Sequence, residues 1–144
     1  MGIDPSRKAG AKKQSPANLP CGNERILLVD DEEFIVDIAK EMLEILGYDI
    51  TATGSSPEAL KWFDQAPHNF DLVITDQTMP KMTGTDLAER LQNIRSDIPI
   101  ILCTGYNEEI IAERNESRNI KAVIMKPFII QEMALIVRKV LDSR

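Results

Sequence analysis

The chain has 144 residues, 43% of them hydrophobic and 28% charged, which suits one globular domain with a proper core and is too short for two. Its net charge of -6 is unevenly shared. Residues 1–23 carry Arg7, Lys8, Lys12 and Lys13 against Asp4 alone, so the remainder is acidic and lacks the basic footprint of direct nucleic-acid binding. No apolar stretch reaches the length of a membrane span or a signal-peptide core, and Cys21 and Cys103 are too few for a disulfide framework, so a soluble cytoplasmic protein is expected.

In chain order, residues 1–23 hold Pro5, Pro16 and Pro20 with no apolar periodicity and read as a flexible linker or vector remnant. Residues 24–144 read as the folded unit. Short apolar runs then alternate with segments of helical period, which predicts an α/β fold on a parallel sheet. The runs predict strands at Arg25–Val29, Tyr48–Ala52, Leu72–Thr75, Ile98–Cys103 and Ala122–Met125. Ile35, Ile38, Met42, Ile45 and Leu46 form the stripe of a first helix, which Gly47 stops. Ser56 before Pro57 and Glu58 looks like the N-cap of a second helix. Thr83 with Asp86 looks like the capping box of a third, a weakly patterned fourth spans Glu108 to about Asn115, and a fifth runs from about Ile130 to Leu141. Cys103 reads as a small buried hydrophobe, Trp62 as partial packing and His68 as an exposed loop residue.

Polar residues close these apolar runs: Asp30 and Asp31 follow the first strand, Asp76 the third, Thr104 the fourth and Lys126 the fifth. In an open parallel sheet all carboxyl ends share one edge, where ligands bind. Three carboxylates gathered there suit a hard divalent cation, and without a companion His or Cys the donor set favours Mg2+ over zinc. The cation would relieve the repulsion between Asp30 and Asp31, while Glu32 and Glu33 begin a helix whose dipole favours negative charge. With a cation and Lys126 neutralising charge on a transferring group, Asp76 becomes a plausible nucleophile toward phosphorus, and Thr104 adds a hydroxyl donor.

From about Glu24 to Leu141 the chain resembles the CheY-like receiver domain of two-component response regulators. The resemblance rests on "VDD" at Asp30 and Asp31, "DQTMPKMTG" from Asp76 to Gly84, "CTG" around Thr104 and "KPF" from Lys126 to Phe128. Each motif alone is weak, whereas all four in this order are specific. The resemblance implies a flavodoxin-like (βα)5 three-layer sandwich with strand order 2-1-3-4-5. It implies Asp76 as phosphoacceptor, Mg2+ on Asp31, Asp76 and the Thr78 backbone carbonyl, with Asp30 acting through water, and Thr104 and Lys126 on the phosphoryl oxygens. It further implies a cis bond before Pro127. Val123 departs from the pattern, standing where many receivers carry the Tyr or Phe that follows the threonine on phosphorylation. Thr78 and Tyr106 stand where receivers vary in phosphate lifetime.

The function implied is a phosphorelay module rather than an enzyme in its own right. It would take a phosphoryl group from a sensor histidine kinase or a phosphotransfer domain and pass the signal to a protein partner through the face of its fourth helix, fifth strand and fifth helix. The stretch "LPCGNERILLVDDEE" resembles the junction before the receiver of a hybrid sensor kinase, and that arrangement is favoured over a stand-alone regulator. Three other readings are weighed. A degenerate receiver would bind partners without phosphorylation, and Val123 keeps it open. A Mg2+-dependent aspartyl phosphatase would want a second Asp where Thr78 stands. A flavodoxin-like cofactor binder would have its phosphate repelled by Asp30 and Asp31.

Overall fold

A computed structural model of the chain describes residues 19–105 and 120–144. Tyr106, the fourth predicted helix and most of the N-terminal segment fall outside them. The described elements are β1 (Arg25–Val29), α1 (Glu33–Ile45), β2 (Asp49–Thr53), α2 (Ser56–Gln65), a 3-10 turn at Pro67–Asn69, β3 (Leu72–Asp76), α3 (Gly84–Ile94), β4 (Ile100–Thr104), β5 (Ile120–Met125) and a C-terminal helix, Ile130–Asp142.

The strands form one parallel sheet in the order β2-β1-β3-β4-β5, the flavodoxin-like arrangement that the resemblance implies. Every residue of β3 and β4 is buried, as expected of central strands covered on both faces. Side chains alternate between the faces. Ile26 and Leu28 join Ala39, Leu43, Met133 and Val137 under α1 and the C-terminal helix, whereas Leu27 and Val29 join Ala59, Phe63, Leu87 and Leu91 under α2 and α3. Trp62 packs partly buried against the second cluster.

Strand β2 lies one residue later than expected, and β3 and β4 each run one residue further, to Asp76 and Thr104. Three further differences have a local reason. Strand β4 starts at Ile100 because Pro99 has no N–H to donate to the ladder. Strand β5 starts at Ile120, because a bulge lets Lys121 stand opposite no partner while Ile120 pairs with Ile100 and Ala122 with Ile101. The N-cap of α2 is Ser55, whose side chain accepts from the Glu58 N–H, rather than Ser56. Ser56 is taken by tertiary structure: its buried hydroxyl donates to the Met82 carbonyl at 3.0 Å. The Thr83–Asp86 capping box forms at the head of α3.

The segment before β1 is strapped to the lower end of the sheet. Leu19 packs on the first core cluster, the Gly22 N–H donates to the Leu46 carbonyl at 3.1 Å, and Arg138 reaches Cys21 and Glu24 from the C-terminal helix. Gly47, just past α1, has φ 101, and a Cβ there would collide with the Gly22 carbonyl oxygen. Gly47→Ala is therefore expected to cost about 1–2 kcal/mol for the left-handed backbone, plus the cost of displacing the strap, measured by urea unfolding.

Arg138 grips Glu24 through two nitrogens, at 2.7 and 3.2 Å, and this pairing holds the Glu24 carboxyl below the usual carboxylate range. A depressed folded-state value gives stability that is present above the unfolded value, about 4.3, and is lost as pH falls through the folded one. Arg138→Met should lower stability at pH 7 by about 1–3 kcal/mol and flatten the loss below about pH 4, as read from urea midpoints between pH 3 and 7.

Candidate functional site

The carboxyl edge of the sheet gathers the residues that close its strands. Asp30 follows β1 and is 2% exposed, Asp76 ends β3 and is 4% exposed, and Thr104 ends β4 and is buried. Asp31 is exposed beside them. Carboxylate oxygens of Asp30, Asp31 and Asp76 all lie within 4.8 Å of one another. Lys126, one residue past β5, sends its ammonium into this cluster, 2.9 Å from Asp76, 3.0 Å from Asp30 and 3.4 Å from Glu32. Its backbone is fixed too, since the Lys126 N–H donates to the Thr104 carbonyl at 2.9 Å and the Lys126–Pro127 peptide is cis.

The electrostatics follow from burial and pairing. Burial is the largest influence on Asp30 and raises its carboxyl above the usual range, against the Glu32 N–H and the Lys126 ammonium, which pull it down. Burial alone would lower Lys126, but its hydrogen bonds to Asp76 and Asp30 prevail, so it stays charged well beyond neutral pH. Cys103 pairs with Asp76 across the β3–β4 ladder, and burial keeps its thiol protonated and inert.

The loop after Asp76 is tied down by Gln77. The Gln77 N–H donates to the Cys103 carbonyl and its own carbonyl accepts from Gly84, both at 2.9 Å. Its side-chain amide then accepts from the Thr85 N–H at 2.9 Å and donates to the Thr85 hydroxyl at 3.2 Å. Gly84 closes this loop because a Cβ there would strike the Asp76 carbonyl oxygen. Gln77, Gly84 and the Glu32 side chain were not singled out as site residues in the sequence. Gln77 stands among the polar residues Thr75, Asp76 and Thr78, so nothing local in the sequence marks its clamp on Thr85.

Other candidates take different places. Thr78 is exposed on the same loop. Val123 lies within β5 opposite Leu102 and packs partly buried against the cluster under α2 and α3, away from the carboxylates. Tyr106 lies outside the described residues. His68 is exposed, in the turn at the other end of the sheet.

A family model for the response regulator receiver domain matches residues 26–138, a span that takes in every residue of this cluster. The chain belongs to that family. The receiver is 33% identical over 118 residues to the DNA-binding transcriptional regulator NtrC of Azospirillum brasilense, covering 82% of this chain and 24% of that protein. It is 31% identical over 137 residues to the sensor kinase CckA of Brucella abortus, covering 94% of this chain and 14% of that protein. The receiver thus spans only a minor part of these relatives' length. A response regulator receiver domain from Clostridium thermocellum superposes with a TM-score of 0.77 at 28% identity, covering 83% of this chain and 95% of that one. The receiver is therefore a two-component signalling domain, with the acidic cluster at its carboxyl edge. Among the described residues no helix is long and apolar enough to cross a membrane.

The raised carboxyl of Asp30 has a stability signature. Its folded-state value lies above the unfolded one, so its charged form lowers stability as pH rises past about 4. In chelator, Asp30→Asn should be more stable than the parent at pH 7, with the difference closing toward pH 3. Asp31→Asn, which removes like-charge repulsion at an exposed position, should leave chelated stability unchanged or raised. Thermal melts with and without chelator would check both.

Proposed function

We propose that the receiver accepts a phosphoryl group on Asp76, with Mg2+, from the phosphohistidine of a sensor kinase or phosphotransfer domain, and that residues 24–144 form the receiver and 1–23 the linker before it. The observation that carries this reading is the placement of a buried carboxylate 2.9 Å from a buried-stem ammonium with two further carboxylates within 4.8 Å. Nucleophile, phosphoryl-binding cation and metal-type donors then share one edge.

The residues fit a hard divalent ion, because the gathered donors are carboxylate oxygens alone. Asp30, Asp31 and Asp76 would hold it, with the Thr78 carbonyl as a backbone donor. A bound Mg2+ supplies charge neutralisation at the phosphoryl oxygens. The protein's own groups do the rest. An Asp76 oxygen attacks phosphorus while the bond to the donor breaks, Lys126 and the Thr104 hydroxyl turn toward the phosphoryl oxygens, and the Gln77 clamp keeps the loop after Asp76 in register.

The match to the CckA sensor kinase covers 94% of the chain and so reaches well into residues 1–23, which supports a receiver that follows a kinase linker. The exposed start of α1, with Phe34 at 73% exposure beside Asp31 and Glu32, suits contact with the phosphoryl-donating partner. Output to a protein partner would use the face of β5 and its flanking helices. Val123 in the family's aromatic position implies an output that does not depend on an aromatic side chain turning inward.

Intact mass after incubation with Mg2+ and acetyl phosphate tests the core of this reading. One added phosphoryl group is expected in the parent, none in Asp76→Asn and none in chelator, with unchanged circular dichroism in the variant. Failure of the parent to gain mass while it binds Mg2+ would instead favour a receiver that binds its partners without phosphorylation.

A further inference from the structure

An ammonium has three N–H donors. Among the described residues three carboxylates face that of Lys126: Asp76, Asp30 and Glu32. The first two are buried, whereas the Glu32 side chain is 64% exposed and its contact is the longest, at 3.4 Å. Glu32 is also the N-cap residue of α1, yet its side chain makes no capping bond. Its backbone N–H donates instead to Asp30 Oδ1 at 2.9 Å, which pins the residue above the site and leaves its carboxylate to reach Lys126.

A phosphoryl group arriving at Asp76 brings oxygens that need donors, and Lys126 must release one to serve them. The exposed pair with Glu32 is the weakest held of the three. We propose that Glu32 is a placeholder on Lys126: it occupies the donor that the phosphoryl group takes, and so sets how fast Asp76 is loaded. This rests on the phosphoacceptor reading above. With acetyl phosphate as donor, an Asp76 oxygen forms its bond to phosphorus while the phosphorus–oxygen bond to acetate breaks. The electron pair leaves with the acetate, and no proton moves. Before that step Glu32 must let go of Lys126 as the dianionic donor comes in.

Two variants separate occupancy from charge. Glu32→Ala removes both. Glu32→Asp keeps the charge, is one methylene shorter and draws back from Lys126, and aspartate is a favoured N-cap residue, so the fold is retained. The measurement is the initial rate of mass gain with acetyl phosphate at saturating Mg2+, in the parent, both variants and Asp76→Asn. Both Glu32 variants are expected to load about two- to fivefold faster than the parent, with no adduct in Asp76→Asn. Equal rates in the parent and both variants would overturn the placeholder role and leave the phosphoacceptor reading intact. A fast Glu32→Ala beside a Glu32→Asp at the parental rate would assign the effect to bulk charge and overturn it as well. No Asp76-dependent adduct in any protein would overturn the phosphoacceptor reading and this inference with it.

Discussion

Lys126 has to satisfy carboxylates delivered by two different strand ends, and the geometry of the whole edge answers that demand. Asp30 comes from β1, Asp76 from β3, and the lysine itself from beyond β5, so the ammonium spans the sheet across β4. Two buried carboxylates a few ångströms apart would repel strongly in a low-dielectric setting, and one cation between them turns that repulsion into a shared attachment. The contact does not cancel the cost of burial, since Asp30 keeps a raised carboxyl whose largest cause is desolvation. By charge count, the three carboxylates of Asp30, Asp31 and Asp76 gather at this edge around the single ammonium of Lys126.

Strain at this edge is avoided by backbone fitting rather than by side-chain bulk. The Lys126 N–H borrows the Thr104 carbonyl, Gln77 spans the loop from both ends, and Gly84 lets the head of α3 come against the Asp76 carbonyl. Ser56 adds a tie from α2 to Met82 in the same loop. A loop that follows a buried carboxylate would otherwise be the most mobile part of this edge, and these bonds hold it to the sheet.

The sheet was readable in the sequence because strands buried on both faces are continuous apolar runs, and the residues that end such runs stand out by contrast. Asp30, Asp76, Thr104 and Lys126 each stand at or just past the end of a mainly apolar run, so the sequence places them on one edge. Ser55 and Ser56 could not be told apart in that way, because both are good caps and the choice depends on a carbonyl 26 residues further on. The Glu32–Lys126 contact joins positions 94 apart and looks in sequence like an ordinary acidic first turn. The β5 bulge likewise depends on pairing with Ile100 and Ile101, which no local pattern around Lys121 encodes.

The strap of residues 19–24 enters the fold at the amino end of β1, while the carboxylates stand beyond its other end, a five-residue strand away. At about 3.3 Å per residue, that separates the point of attachment from the carboxylate edge by about 16 Å, the length of the strand. Arg138, Gly22 and Leu19 make the attachment a fixed root rather than a loose string. The described domain is consequently anchored at its base, with the carboxylate edge at the far end of β1, so that a small tilt at the root swings that edge through a wide arc.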